Sequence, residues 1–266
     1  MNWNCILERV ATTKSTNDDL LERWRAGELI DPVARIAHEQ TAGKGRAGRI
    51  WLAKPEDTLC FSLAYPFNCR PNELSGLSLV VGLAVIDGIS QVLNIDQARL
   101  HQLGLRLKWP NDLLLNNAKL GGILIEGGQT STQAPSWMII GLGLNLRHAD
   151  RITKYLSNPS SLGIAALDQM VPDSNLLPEN EYIWLKLIES FEAYLRKFSE
   201  HGFKYFKNDW LRWDAFANQA VTISGAGNEV IGGISTGVDD NGALLLNQGN
   251  RIVTVHAGDV SLRAQS

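Results

Sequence analysis

The sequence predicts an α+β fold, a mixed β-sheet packed with helices and followed by a small all-β unit, and three observations carry that prediction. Helical and strand patterns alternate through about the first two hundred residues without a repeat. From Asn72 to Leu93, apolar residues including Leu77, Val80, Val81, Leu83, Val85 and Ile89 cover nearly every side of a helical wheel, so this helix belongs in the core. After Asp214 the pattern changes to short strands between turn residues, as in a small barrel.

Each element has its own reason. Ser15 is a helix-capping residue type; Asp18 and Asp19 follow in the first turn, with Leu20, Leu21 and Trp24 on the apolar side. Ala34 to Glu39 reads as a strand leading into a glycine-rich loop. Thr58 to Tyr65 alternates strictly, Leu59, Phe61, Leu63 and Tyr65 against Thr58, Cys60, Ser62 and Ala64, which predicts a half-buried strand. Short strands are expected at Leu105 to Trp109, Gly122 to Glu126 and Trp137 to Leu142. Ile183, Leu187, Phe191, Tyr194 and Phe198 mark one face of an amphipathic helix. Strands then follow at Ala220 to Ser224, Glu229 to Thr236, Ala243 to Asn247, Arg251 to Val255 and Asp259 to Arg263. Between them lie Gly225-Ala226-Gly227-Asn228 and Asp239-Asp240-Asn241-Gly242. The expected division is residues 1–215 as the larger domain and 216–266 as a small one, marginal alone and docked on the first.

At 266 residues and 44% hydrophobic, the chain can bury a real core. A net charge of -3 and a pI near 6.0 leave no electrostatic footprint for general nucleic-acid or membrane-surface binding. Cys5, Cys60 and Cys69 are odd in number and lack C-x-x-C spacing, which argues against a disulfide framework or zinc site and for a reducing compartment. His38, His101, His148, His201 and His256 show no metal-ligand pairing, so each reads as structural or surface. Met1 to Val10 contains Asn2, Asn4, Glu8 and Arg9 and has no signal-peptide core. No segment reaches the roughly 18 uncharged apolar residues of a membrane span, so a cytoplasmic protein is expected.

The chemistry begins at Gly43-Lys44-Gly45-Arg46-Ala47-Gly48-Arg49, followed by Trp51. Cations among glycines suit an anion, because glycine permits close backbone approach and the basic side chains give charge-assisted hydrogen bonds to phosphate. On this stretch alone, a solvated basic turn is an equal reading. The pattern G-x-G-x-x-G is also present, but Lys44, Arg46 and Arg49 replace the small or apolar residues that a Rossmann helix favours, and no G-x-x-x-x-G-K-[ST] occurs. Lys108-Trp109-Pro110-Asn111-Asp112 joins a strand to a turn, and Lys119-Leu120-Gly121-Gly122 opens the next strand. Pro-Asn-Asp is ordinary turn chemistry, and Lys119 alone is a solvated lysine. Two lysines and a carboxylate at the ends of one connection can nevertheless hold a phosphate and a magnesium ion together. Gly141-Leu142-Gly143-Leu144-Asn145 ends a strand with approachable backbone and an amide that offers adenine a donor and an acceptor, although asparagine is equally a turn residue.

Taken in order, Ser15-Thr16-Asn17, Gln40 with the glycine-arginine loop, Lys-Trp-Pro-Asn-Asp, Lys-Leu-Gly-Gly, Gly-x-Gly-x-Asn and the C-terminal strands resemble the biotin protein ligase family over essentially the whole chain. The resemblance implies the biotin-lipoate ligase catalytic fold, similar to class II aminoacyl-tRNA synthetases, with an SH3-like C-terminal barrel. It implies that Ser15, Thr16, Gln40, Gly43 and the backbone around Lys44 contact biotin, with Ser15 and Asn17 near the ureido ring and Gly121 and Gly122 in the same site. Arg46 would contact biotin and hold the adenylate, Arg49 and Trp51 would order the loop and cover the adenine, and Asn145 would bind adenine. Lys119 would reach biotin carboxylate and α-phosphate. Asn111 and Asp112 would lie on the nucleotide and magnesium side, Asp112 as a candidate metal ligand. The loop would be a flexible cover that orders when the ligand arrives.

The implied reaction has two steps. Biotin carboxylate attacks the α-phosphorus of ATP to give biotinyl-5′-AMP and pyrophosphate, and a lysine of a biotin carboxyl carrier domain, such as that of acetyl-CoA carboxylase, attacks the mixed anhydride. The partner supplies the nucleophile, which fits a chain without a Ser-His-Asp or Cys-His arrangement. Arg46, Lys119 and Mg2+ would stabilise charge on phosphorus. Asp112 would accept or orient the carrier lysine's proton, hold the metal, or serve the turn. Lys44 stands where the family often has arginine, so a bidentate role there is in question. Fourteen residues precede Ser15, too few for the helix-turn-helix domain of members that repress transcription, so a ligase with no repressor role and no DNA partner is expected. A homodimer is left open. The rivals are a lipoate ligase or octanoyltransferase, which usually lacks this loop followed by Lys-Trp-Pro-Asn-Asp, and a non-catalytic biotin sensor, against which the intact cationic set counts.

Overall fold

The structure, a computed structural model, describes residues 4–154, 163–225, 230–258 and 260–264. It begins with β1 (Ile6–Thr13), α1 (Thr16–Arg25), β2 (Val33–Gln40), β3 (Thr58–Phe67), α2 (Leu77–Leu93) and α3 (Gln97–Gln102). Next come β4 (Leu105–Lys108), β5 (Asp112–Leu115), β6 (Ala118–Gly128), β7 (Ser136–Asn145), α4 (Ala149–Lys154), α5 (Asn180–His201) and α6 (Lys207–Leu211). These strands make one seven-stranded sheet in the order β1-β2-β3-β7-β6-β5-β4. β1 and β2 run parallel and the other neighbours antiparallel, so the sheet is mixed, as expected.

One face of the sheet is covered by α2 and α5. Phe61 and Phe67 of β3 meet Phe191 and Phe198 of α5 with ring centroids 5.6 and 6.0 Å apart. The helix expected from Asn72 begins at Leu77, because Pro71–Leu74 closes a separate 3-10 turn and Gly76 leaves the helical region at φ 80. The other face carries α1, which buries Leu20 and Leu21 beside Ala64 and Ile139. Full burial of one such leucine contributes ~1.5–3 kcal/mol. β3 is therefore buried on both faces, including Thr58, Cys60, Ser62 and Ala64, which corrects the half-buried expectation. β1, α3, β5, α4 and α6 lie outside the sequence expectations. β5 was hidden because Pro110-Asn111-Asp112 reads as a turn, whereas Asp112 already pairs with Lys108 and Gly122.

The second sheet contains β8 (Ala220–Ser224), β9 (Val230–Val238), β10 (Leu244–Asn247), β11 (Ile252–Val255) and β12 (Ser261–Ala264). Its order is β11-β10-β9-β8-β12, antiparallel throughout. The expected barrel is thus an open sheet among the described residues, with β11 and β12 as unpaired edges. Val221, Ile223, Val238, Leu244, Leu246 and Leu262 belong to the same core as α2 and α5, so this sheet buries its apolar face on the first unit and not on itself. Ala226 to Asn228 of the expected turn, and Glu229 and Asp259 of two expected strands, lie outside the described residues.

The segment that leads into the second sheet is bonded to β4. Leu107 N donates to Trp213 O and Ala215 N to Leu107 O, both at 2.8 Å. The fully buried Trp109 sends its indole N–H to Gly242 O at 3.0 Å. Asp214 sits in this seam: Oδ1 accepts from Phe216 N at 3.0 Å, Oδ2 is buried without a hydrogen-bond partner, and burial pushes the carboxyl up to about 6. No described helix is long and apolar enough to cross a membrane.

Candidate active site

Strand register lines up a row of residues on the sheet face shared with α1. Cys60 pairs with Gly143, Gly143 with Gly122, Gly122 with Asp112, and Asp112 with Lys108. In the adjacent row of the same face, Ser62 pairs with Gly141 and Gly141 with Leu124. Side chains alternate with period two, so Gly-x-Gly-x-Asn puts Gly141, Gly143 and Asn145 on one face. A Cβ on Gly143 would stand 2.2 Å from the Trp51 ring, and one on Gly141 2.5 Å from Asn17 Oδ1. Both positions must therefore be glycine for those side chains to lie on the sheet.

The Gly141 end is a neutral, hydrogen-bonded pocket. Ser15 caps α1, its Oγ accepting from Asp18 N at 3.4 Å, which leaves the next two side chains at the helix entrance. Thr16 donates to Gln40 Oε1 through its backbone N at 2.8 Å and its hydroxyl at 3.0 Å. Thr16 Oγ1 and Ser62 Oγ are 2.7 Å apart, and Ser62 Oγ donates to Asn17 Oδ1 at 2.7 Å. Asn17 Nδ2 completes the chain to Glu126 Oε2 at 2.8 Å. Ser15, Thr16, Asn17 and Ser62 are all buried, and Gly43 lies beside Gln40. Ser62 and Glu126 were missed by sequence reasoning. A serine at mid-strand was the available signal, since a buried hydroxyl needs a partner.

The Gly122 end is cationic. Lys108 Nζ lies 2.8 Å from Asp112 Oδ2 and Lys119 Nζ 2.8 Å from Asp112 Oδ1. Burial opposes ionisation of Asp112, but the charges of Lys119 and Lys108 and their hydrogen bonds outweigh it and hold the carboxyl at about 2. The side chain of Lys108 is 9% exposed and that of Lys119 26%, so Lys119 is the lysine with room to meet a ligand. Its Nζ stands 5.6 Å from the centre of the Trp51 ring. Asn145 Nδ2 donates to Lys119 O and Ala165 O at 3.1 and 3.0 Å, so its amino group braces the lysine and any purine contact falls to Oδ1.

The loop closes over this floor. Gly45 N donates to Arg49 O at 2.7 Å and Trp51 N to Gly43 O at 2.8 Å. Arg46 Nη1 donates to Asn111 Oδ1 at 2.9 Å, and Nη2 reaches Gly258 O beyond β11. Lys44 Nζ pairs with Asp18 at 2.7 Å as a point charge, so its side chain is engaged by a carboxylate of α1. The Arg49 side chain turns back to Arg46 O at 3.2 Å and is exposed. Gly121 faces away from the site: its Cβ would meet Gly143 O at 2.8 Å and the side chains of Leu144 and Leu113. Any contact of Gly121 with biotin therefore falls to its backbone.

The residues do not fit a resident magnesium ion. Both Asp112 oxygens already hold an ammonium group, and no group of three or more His, Cys, Asp or Glu among the described residues could ligate a metal. In this arrangement Asp112 serves the two lysines. Burial pushes the Cys60 thiol up to about 11, so the floor offers no thiolate. A cavity of about 350 Å3 beside α1, lined by Asp19, Glu22, Arg23, Ala26, Glu28 and Arg35, lies apart from the floor. Arg35 is already paired with Asp19 and Glu8, and Arg23 with Glu8. What the floor can accept is a ligand with a neutral, hydrogen-bonding head and an anionic tail.

Comparison with known proteins agrees with that geometry. Residues 10–145 match the Biotin/lipoate A/B protein ligase family, and residues 216–263 match the Biotin protein ligase C terminal domain. The chain is 34% identical over 256 residues to the biotin--[acetyl-CoA-carboxylase] ligase of Mycobacterium tuberculosis, covering 96% of this chain and 88% of that one. It is 33% identical over 251 residues to the bifunctional ligase/repressor BirA of Escherichia coli, covering 94% and 72%. Among solved structures, the Aquifex aeolicus biotin protein ligase in complex with biotin and ATP superposes with a TM-score of 0.76 at 26% identity, covering 98% of this chain and 99% of that one.

Proposed function

The chain belongs to the biotin/lipoate A/B protein ligase family, and we propose that it is an ATP-dependent biotin protein ligase. The observation that carries this reading is the continuity of a neutral pocket with a cationic end on one sheet face. Biotin has the matching polarity, an uncharged ureido ring at one end and a carboxylate at the other.

In this reading Thr16, Gln40 and Ser62, with Asn17 beside them, receive the ureido ring, Ser15 shapes the entrance, and Lys119 draws the carboxylate toward the α-phosphorus of ATP. Carboxylate oxygen attacks phosphorus and pyrophosphate leaves, giving biotinyl-5′-AMP. Lys119 and Arg46, the latter reaching from its seat on Asn111, share the charge that grows on the phosphoryl oxygens. Trp51 and Asn145 flank the purine, and Arg49 steadies the loop. A carrier lysine then attacks the acyl carbon, the amide forms, and AMP departs. Asp112 positions Lys119 and Lys108 and does not take the proton, because a carboxylate held at about 2 is a weak base. Magnesium enters as the nucleotide complex, held by phosphates and water as this ion prefers.

The partner in this proposal is the carrier domain of a biotin-dependent carboxylase, acetyl-CoA carboxylase being the first candidate because relatives are named for it. Residues 1–215 carry the chemistry and 216–266 support it, and the cytoplasm suits the free thiols of Cys5, Cys60 and Cys69. The test is purified protein with Mg-ATP and an apo carrier domain, offered biotin or lipoate. Pyrophosphate release and carrier modification with biotin are expected; modification with lipoate alone overturns the reading.

A further inference from the structure

The neutral pocket has fewer hydrogens than its contacts require. Three oxygen-to-oxygen contacts run through it: Thr16 Oγ1 to Gln40 Oε1 at 3.0 Å, Thr16 Oγ1 to Ser62 Oγ at 2.7 Å, and Ser62 Oγ to Asn17 Oδ1 at 2.7 Å. Each needs a hydrogen between its oxygens, and each hydroxyl brings one. With two hydroxyls for three contacts, one contact goes without.

The amide orientations fix this shortage. Gln40 presents its oxygen to Thr16, because the Thr16 backbone N–H also donates there at 2.8 Å. Turning the Asn17 amide over would cure the deficit: Nδ2 would donate to Ser62, Ser62 to Thr16, and Thr16 to Gln40. Glu126 prevents it, since the turned amide would set its oxygen against a carboxylate 2.8 Å away. Thr16 and Asn17 are 3% exposed and Ser62 0%, so solvent does not relieve the bare contact, and a ligand donor shared between its two oxygens does.

We propose that Glu126 is a positioning residue for biotin. By accepting from Asn17 Nδ2 it locks that amide so that the pocket is one hydrogen short and selects a ligand carrying an N–H donor, which a ureido ring supplies. An N–H shared between Thr16 Oγ1 and either Gln40 Oε1 or Ser62 Oγ bridges the pair left bare. The proposal rests on the biotin reading, and it makes Glu126 a determinant of ligand choice without touching the ligand.

The test compares wild type with Glu126→Gln, whose side chain tolerates either Asn17 orientation, using biotin and a biotin analogue methylated on both ureido nitrogens. In pyrophosphate release, Glu126→Gln should raise the KM for biotin about tenfold, with kcat at saturation and the KM for ATP within about twofold of wild type. Methylation should reduce kcat/KM on the order of a hundredfold in wild type and only about tenfold in the variant. Ser62→Ala, which cuts the chain between Thr16 and Asn17, should also relax the discrimination with Glu126 intact. An unchanged biotin KM and methylation penalty in Glu126→Gln, full discrimination in Ser62→Ala, or a general loss that includes the KM for ATP would each overturn the proposal while the biotin reading stands. A wild-type protein with no biotin-dependent pyrophosphate release would overturn both.

Discussion

The two ends of the sheet face are built in opposite ways. In the neutral pocket, partners come from far apart: Asn17 meets Ser62 across 45 positions and Glu126 across 109. In the cationic end they are near neighbours, with Lys108 and Asp112 four apart in one motif and Lys119 just beyond. The first end obtains its specificity from directional bonds among buried neutral groups anchored on the Glu126 carboxylate, the second its strength from charge. Reading an uncharged ring requires donors and acceptors fixed in direction, whereas stabilising a growing negative charge requires mainly a cation held in the right place.

If the two ends divide the work in this way, their substitutions should separate. Lys119→Ala should have the largest effect, a loss on the order of a hundred- to a thousandfold in pyrophosphate release. Equilibrium binding of biotin in that variant should weaken far less; equal losses in both measurements would mean that the ends do not act separately. Arg46→Ala should retain the fold by circular dichroism and lower the rate on the order of a hundredfold, with the adenylate no longer travelling with the protein in gel filtration. Normal adenylate retention would show that the loop has another task. Thr16→Ala should raise the KM for biotin about tenfold and spare the KM for ATP, and a matching rise for ATP would blur the division.

Asp214 sharpens the comparison from outside, as a buried carboxylate with neither lysines nor a second hydrogen-bond partner. Its folded value of about 6 lies above the ordinary 3.8, so the fold disfavours its ionised form. Its effect on stability is therefore nil below the ordinary value, grows unfavourably as pH rises toward about 6, and stays constant above it. Asp214→Asn should flatten that slope in urea unfolding and add ~1–3 kcal/mol at pH 8. An unaltered slope would place the titration elsewhere.

The same contrast explains what the sequence made legible. Charged motifs written contiguously, such as Lys108 to Asp112 with Lys119, disclosed the cationic end, and Gly141 to Asn145 read as approachable backbone at the end of a strand. Glu126 stayed hidden because nothing local distinguishes it from a surface carboxylate; its importance arises when β6 brings it to Asn17 at the start of α1. Gly121 and Gly122 read alike in the motif, although adjacent residues on a strand face opposite ways. The second sheet announced its strands but not its shape, because an apolar face can be buried on a neighbouring unit as readily as in a closed barrel.

The bond from Trp109 to Gly242 has a practical side. Trp109 stands in the motif that supplies Lys108, Asn111 and Asp112, while Arg46 reaches across to Gly258. The second unit is thus bonded to the candidate active site at two points and is not an interchangeable part. A chimera that grafts residues 216–266 from a relative would inherit a misfit at Gly242, where a Cβ would come within 2.8 Å of Gly76, unless the incoming turn reproduces that glycine. Engineering of ligand choice should therefore treat the two sheets as one inherited unit.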